Sequence, residues 1–131
     1  MRLVLLDTST LIDVERSSAR LVDLLDDDDA PALAAITVAE LGVGVSIATG
    51  KRKARRQAFL DDLVAALPII AYDLTVAEAH RSLLVAVRRS GRLRGAHDLI
   101  IAATAAATAR EVITADRSGF ADLPGVAVRS P

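Results

Sequence analysis

The sequence predicts an α/β fold in which a mostly parallel sheet of about five short strands is flanked by helices. Short, continuous apolar runs recur along the chain, as is typical of strands covered on both faces. Longer segments rich in Ala, Leu and Arg, with apolar residues three or four positions apart, separate these runs. Strands that alternate with helices indicate parallel pairing. Trp is absent, and two Phe and one Tyr are the aromatic residues, so we expect an aliphatic core.

The first strand is expected at Leu3–Leu6, where an apolar run ends at Asp7. Similar runs predict the other strands, at Ala32–Ile36, Pro68–Ala71, Glu111–Thr114 and Val126–Val128. Helices are expected over the segments between them, roughly Ser9–Val14, Ala19–Leu25, Val38–Ala48, Lys51–Leu67, Thr75–Ser90 and Ala96–Arg110. Neither an internal repeat nor a linker-like tract interrupts this pattern, which predicts a single domain over residues 1–131.

The composition excludes several classes of protein. The chain of 131 residues is 52% apolar and 25% charged, which is enough to bury a core and argues against disorder. It contains no Cys, so disulfide scaffolds, thiolate zinc sites, iron–sulfur ligation and Cys nucleophiles are excluded. The longest uncharged run, Leu99–Ala109, is shorter than the roughly 20 residues of a bilayer span. Leu3–Leu6 is too short for a secretory signal, and a cytoplasmic location is expected.

Two acidic residues directly follow predicted strands. Asp7 follows the first strand, and Asp116 follows the strand at Glu111–Thr114. Ligand sites in open α/β sheets collect at the carboxyl ends of the strands, where both residues would lie. Each position also has a purely structural explanation, because Asp is common at helix N-caps and in turns.

Two further acids lie near the starts of predicted helices. Glu40 follows the second strand, and Thr37 with Glu40 also matches a capping box, in which the carboxylate would bond the backbone N–H of Thr37. Asp98 lies in the first turn of an almost wholly apolar helix, where an acid would also compensate the helix dipole. Spacing alone leaves both explanations open.

The convergence of four carboxylates on one sheet edge is the strongest functional signal in the sequence. We call Asp7, Glu40, Asp98 and Asp116 the acidic quartet. Carboxylates packed together repel one another, so a positive group is expected among them. Arg94 and Arg117 are candidates, but a divalent cation is the better one, and oxygen ligands favour Mg²⁺ or Mn²⁺ over zinc. Such an ion suggests chemistry on phosphate groups.

With these acids in order, the sequence resembles the PIN-domain ribonucleases, specifically the short VapC-type toxins of bacterial toxin–antitoxin pairs. The resemblance covers essentially the whole chain. Four motifs carry it: Asp7-Thr8-Ser9 with Leu11-Ile12, Thr37-Val38-Ala39-Glu40-Leu41 with Gly44, Asp98-Leu99-Ile100-Ile101-Ala102-Ala103, and Thr114-Ala115-Asp116 with Phe120.

The resemblance implies a PIN-like α/β/α sandwich and Mg²⁺- or Mn²⁺-dependent endoribonuclease activity. By match to the motifs, the acidic quartet is both the catalytic and the metal site, and Ser9 and Thr114 are hydroxyls that orient it. The fourth acid is often another polar residue in the family, so Asp116 makes this set fuller. A homodimer is also implied, as is a small VapB-type antitoxin whose tail occupies the catalytic groove.

RNA must be held by local patches, because 16 Lys and Arg nearly balance 17 Asp and Glu. One basic cluster comprises Lys51, Arg52, Lys53, Arg55 and Arg56, and a second comprises Arg88, Arg89, Arg92 and Arg94. The second is preferred here because it leads directly into Asp98, although either could be a solvated helix face. His97 is interpreted as a helix-start residue and His80 as a packed one.

Two other functions are compatible with an acid after the first strand. A haloacid-dehalogenase-like phosphatase would place a second Asp where this chain has Ser9, and would need a lysine near the site. A non-catalytic module could keep the fold and bind a peptide in the groove.

Overall fold

The computed structural model describes residues 1–17 and 19–131. Over these ranges the chain forms five strands and five α-helices. In chain order they are β1 (Arg2–Leu6), α1 (Thr8–Arg16), β2 (Asp29–Ala34), α2 (Ala35–Ile47), α3 (Gly50–Ala66), β3 (Ile69–Ile70), α4 (Leu74–Ser90), α5 (Ala96–Ala107), β4 (Glu111–Ile113) and β5 (Val128–Arg129). Single 3₁₀ turns occur at Leu21–Leu24 and Arg117–Gly119.

The strands form one parallel sheet in the order β3-β2-β1-β4-β5. Alternate residues of β1 enter opposite layers. Leu5 packs with α4 and α5 on one face, whereas Val4 and Leu6 pack with Leu11, Leu41 and Leu63 on the other. The expected α/β/α sandwich is therefore confirmed. The central pair β1 and β4 is aligned so that Asp7 leaves the sheet beside Thr114.

Several predicted element boundaries were wrong. The last strand covers Val128–Arg129 and not Val126–Val128, since the backbone N–H of Val126 still closes a turn onto the carbonyl oxygen of Leu123, and helix α2 begins at Ala35 and not at Val38. The second strand covers Asp29–Ala34, not Ala32–Ile36, because the apolar run continues across the junction into α2 and so hides the boundary. Only a 3₁₀ turn forms within the helix predicted at Ala19–Leu25. Helix α5 ends at Ala107 and not at Arg110, since Ala109 adopts a left-handed conformation and Arg110 turns back to bond the carbonyl oxygens of Val4 and Ala30.

An ion pair between charged side chains also links β2 to β5. Asp29 lies in β2 with its side chain fully buried against Arg129 of β5. Its contact with Arg129 holds the pKa of Asp29 below its ordinary value. Among the described residues, none of the helices combines the length and the apolar character that a bilayer crossing requires.

Candidate active site

Asp7 is the most buried member of the acidic quartet, with 3% of its surface exposed. It is the N-cap of α1, and its Oδ1 accepts the backbone N–H of Thr10 at 3.0 Å. Its Oδ2 accepts two hydroxyl hydrogen bonds, from Ser9 at 2.9 Å and from Thr114 at 2.8 Å. The capping explanation therefore accounts for one oxygen only. The second oxygen, Oδ2, is held by one hydroxyl from α1 and one from the residue that follows β4.

Glu40 does not form a capping box. The N-cap of α2 is Ala34, and Thr37 already lies inside the helix. The Glu40 carboxylate reaches across the sheet edge, where Oε1 accepts the Thr8 hydroxyl at 2.8 Å and Oε2 lies 3.1 Å from Nδ1 of His97. The Thr8 and Thr37 hydroxyls are 3.1 Å apart and buried, so Glu40 is held from α1 on one side and α5 on the other.

The pKa of Asp98 reflects burial and the charges of the other three acids. Asp98 is half-buried, and this burial raises the pKa of its carboxyl group. The charges of Asp7, Glu40 and Asp116 raise that pKa further, while His97 lowers it. All three other members of the quartet thus lie within electrostatic range of Asp98.

Asp98 is also packed tightly against glycine backbone. A Cβ atom added at Gly119 would lie 2.6 Å from Oδ2 of Asp98, and one at Gly95 would lie 3.2 Å from the same oxygen. The glycines leave room for the carboxylate in its present position. Sequence reasoning missed this role, because Gly119 is 21 positions from Asp98 and reads locally as part of a turn.

Asp116 caps the 3₁₀ turn at Arg117–Gly119. The purely structural role of a turn residue therefore accounts for one of its carboxylate oxygens, Oδ1. Its Oδ1 accepts the backbone N–H of Ser118 at 3.2 Å and the Ser118 hydroxyl at 2.6 Å. The residue is exposed, and its backbone N–H donates to the Thr114 hydroxyl that bonds Asp7. Asp116 is therefore linked to Asp7 through one threonine.

The donor set fits a hard divalent cation. All four groups are carboxylates, and within the described residues neither Arg94 nor Arg117 forms an ion pair with any of them. Among the described side chains, the imidazole of His97 contacts the quartet through Glu40. In the part of the chain that the structure describes, no three acidic or histidine side chains lie close enough to share an ion as they stand. Sharing one would require side-chain rotation or bridging water.

The two arginines predicted nearest the site are engaged elsewhere. Arg92 forms an ion pair with Asp122 at 3.0 Å. Arg94 is half-buried and donates to the carbonyl oxygen of Ala121 at 2.6 Å, so it braces the segment after β4. Arg88 and Arg89 are exposed in the last turn of α4.

A groove of about 300 Å³ runs from Glu40 between α1, α2 and α3. We call it the apolar groove. Its aliphatic and aromatic lining comprises Ile12, Leu41, Val43, Ile47 and Phe59. Val43 and Ile47 are 59% and 75% exposed, which is unusual for large apolar side chains on one helix face. Sequence reasoning did not locate this groove, because the apolar residues of the predicted helix gave no sign of which side chains stay exposed.

His80 lies apart from the quartet. Its Nδ1 is 2.8 Å from the hydroxyl of Tyr72, and the two rings meet edge to face. The interpretation of His80 as a packed residue agrees with this contact.

Comparisons with known proteins place the chain among toxin–antitoxin proteins. The PIN-domain family model matches residues 4–126. Over 123 residues the chain is 40% identical to "Ribonuclease VapC5" of Mycobacterium tuberculosis. The aligned region covers 93% of this chain and 88% of that protein. A crystal structure of VapBC-5, a member of the VapBC family of toxin–antitoxin systems from M. tuberculosis, matches with a TM-score of 0.79 at 36% identity, over 99% of this chain and 98% of the other.

The fold is also shared with a more distant structure. The VapBC2 complex of Rickettsia felis, bound to a promoter DNA fragment, matches with a TM-score of 0.87 over 98% of each chain. Its identity of 24% supports the fold alone.

Proposed function

Because the chain belongs to the PIN-domain family and to its VapC ribonucleases, we propose that it is the toxin of a toxin–antitoxin pair, an endoribonuclease that depends on Mg²⁺ or Mn²⁺. The observation that carries this proposal is the convergence of the acidic quartet on one sheet edge, where burial and the charges of the three other carboxylates raise the pKa of Asp98. Such a toxin acts in the cytoplasm, where its RNA substrate is found.

Asp7 and Asp98 would hold the ion directly. Asp7 follows the central strand β1 and is already fixed by two hydroxyls, and Asp98 lies in the first turn of α5. A carboxylate oxygen has two lone pairs, so Oδ2 of Asp7 can accept hydrogen bonds and still serve as a ligand. Glu40 and Asp116 would act through water or orient the attacking water. When bound, a divalent ion lowers the pKa of a water ligand and stabilises negative charge on the scissile phosphate.

The residues around the quartet would keep it in a productive arrangement. Ser9 and Thr114 fix Asp7, and Thr8 fixes Glu40. In-line attack by water on the scissile phosphorus breaks the bond to the 3′ oxygen, leaving a 5′-phosphate and a 3′-hydroxyl. This route needs no 2′-hydroxyl nucleophile, and therefore no histidine base.

Incubation of purified protein with cellular RNA tests the proposal. We expect cleavage in Mg²⁺ or Mn²⁺ that stops when EDTA is added, with 5′-phosphate ends on the products. A haloacid-dehalogenase-like phosphatase would instead release inorganic phosphate from small monoesters and leave RNA intact. A non-catalytic binding module would do neither. RNA cleavage that persists in EDTA would contradict the metal-dependent mechanism.

The apolar groove is the proposed docking site of the antitoxin, a VapB-type protein. The groove is lined by exposed apolar side chains and by the carboxylate of Glu40. It therefore suits a peptide segment whose apolar residues contact the apolar lining and whose one basic residue pairs with Glu40. A tail bound there would cover Glu40 and block access of RNA to the quartet. A homodimer is also proposed, and the mass of the protein in solution tests it.

Substitution of Ile47 by glutamate is expected to weaken antitoxin binding at least tenfold while RNA cleavage is retained. Ile47 is 75% exposed in the groove, so its replacement removes apolar contact without disturbing the core. Affinity for the cognate antitoxin, measured by calorimetry, checks the effect. Val64→Glu on α3, a partly exposed apolar position outside the groove lining, is the matched control. Equal losses in both variants would argue against the groove.

A further inference from the structure

A second concave surface lies where the end of α1 meets the start of α3. This basic cleft, of about 330 Å³, is lined by Glu15, Arg16, Arg52, Arg55 and Arg56. Lys51 and Lys53 flank Arg52 in the first turn of α3. Six cationic side chains therefore surround a single carboxylate at this place.

Glu15, the one carboxylate of the cleft, pairs with two of the six cations and leaves the other four without an acidic partner in the cleft. Glu15 has only 8% of its side chain exposed and pairs with Arg55 at 3.4 Å and Arg56 at 3.9 Å. Arg56 is itself largely buried and donates to the carbonyl oxygen of Gly44 at 2.8 Å, which joins α3 to α2. These contacts fix the floor of the cleft.

The remaining cations are available to a ligand. Arg16, Lys51, Arg52 and Lys53 are exposed and form no ion pair within the described part of the chain. The first turn of α3 contains no acid, so three of them also lie against the positive end of the helix dipole. That arrangement is unfavourable for the helix alone and becomes favourable when an anion binds.

The basic cleft is continuous with the proposed active site. Glu15, Arg16 and Arg56 line both the cleft and the apolar groove, and Glu40 also lines the groove. A chain of phosphates with one group at the acidic quartet would pass along α1 and reach the cleft.

The α4–α5 cluster has fewer cations to offer. Arg92 is paired with Asp122, and Arg94 is half-buried against the backbone of Ala121, which leaves Arg88 and Arg89. The sequence-based preference for that cluster rested on its position before Asp98, and the side-chain contacts now favour the other one.

We infer that the basic cleft between α1 and α3 holds RNA phosphates beside the cleaved bond, an inference that rests on the proposed ribonuclease function. Phosphate binding there would be electrostatic and independent of base sequence. Any sequence preference would then come from contacts nearer the quartet.

Salt dependence of RNA binding tests the inference directly. The double variant Lys51→Ala/Arg52→Ala is compared with Arg88→Ala/Arg89→Ala, which removes the same charge from the end of α4. Both are made in the uncleaving Asp98→Asn background, and binding of a fluorescent single-stranded RNA is followed by anisotropy over a series of KCl concentrations. For the cleft variant we expect weaker binding and a salt slope reduced by about 1.4, since each phosphate contact on single strands contributes about 0.7. The α4 variant should show a smaller change.

An unchanged slope in the cleft variant, or a larger reduction in the α4 variant, would overturn the inference. Retained RNA binding together with weaker antitoxin binding in the cleft variant would also overturn it, and would assign the cleft to the protein partner. Cleavage by the protein with native Asp98 separates the two proposals. If that protein binds RNA through the cleft without cutting it, the ribonuclease proposal fails and the cleft assignment stands.

Discussion

Substitution of Asp7 by asparagine is expected to lower RNA cleavage by about two to three orders of magnitude, because losing one charged ligand removes several kcal/mol of transition-state stabilisation. Asparagine keeps an oxygen for the backbone N–H of Thr10, so the cap of α1 should survive. The measurement is the cleavage rate in saturating Mg²⁺, with thermal unfolding recorded on the same samples.

Asp13→Asn is the matched control for this variant. Asp13 lies on the same helix and is exposed, so its substitution removes one negative charge away from the quartet. We expect its cleavage rate to stay within about twofold of the unmodified protein, as for surface changes in general. Cleavage by Asp7→Asn at an undiminished rate would show that the activity arises elsewhere.

Substitution of Gly119 by alanine should reduce cleavage by about 10- to 100-fold with little loss of stability. The new Cβ would lie 2.6 Å from Oδ2 of Asp98, so the carboxylate must move away. A displacement of about 1 Å in a reacting group can cost about 100-fold in rate. The neighbour that yields is the end of a side chain, which leaves the backbone undisturbed. Cleavage rate and unfolding temperature together check the prediction.

Gly42→Ala provides the comparison for Gly119→Ala. Gly42 lies in α2 with open space where a Cβ would be placed. Alanine there should preserve cleavage and stabilise the helix by up to about 1 kcal/mol. If both variants lose cleavage, or if neither does, displacement of the Asp98 carboxylate does not explain the effect of substitution at Gly119.

Much of the fold could be predicted from the sequence because the central strands are short apolar runs with abrupt ends. Leu3–Leu6 stops at Asp7, and the structure ends β1 at Leu6. Ala32–Ile36 had no such stop, since Ala35 and Ile36 suit a buried helix as well as a strand. Apolar periodicity therefore located the elements but could not divide one from the next inside a continuous apolar segment.

The positions of the candidate acids were predictable because they follow from local rules. Asp7 and Asp116 follow strands, and parallel strands bring their carboxyl ends to one edge. The partners of these acids were not predictable in this way. The contact between Thr8 and Glu40 spans 32 positions, and that between His97 and Glu40 spans 57. Such contacts depend on how α1, α2 and α5 pack, which no short window of sequence encodes.

The apolar groove and the basic cleft show the same limit. The exposure of Val43 and Ile47 was not predicted, and the cations of α3 could be either phosphate contacts or a solvated face. Only the packing of α1 against α2 and α3 shows that the two surfaces meet along Glu15, Arg16 and Arg56.

Anomalous diffraction from crystals grown with Mn²⁺ tests most directly whether the acidic quartet holds a divalent ion. We expect a peak within coordination distance of carboxylate oxygens of Asp7 and Asp98, and its loss in Asp98→Asn crystals. Crystals of active protein that show Mn²⁺ bound elsewhere, with no peak between these two carboxylates, would contradict the account.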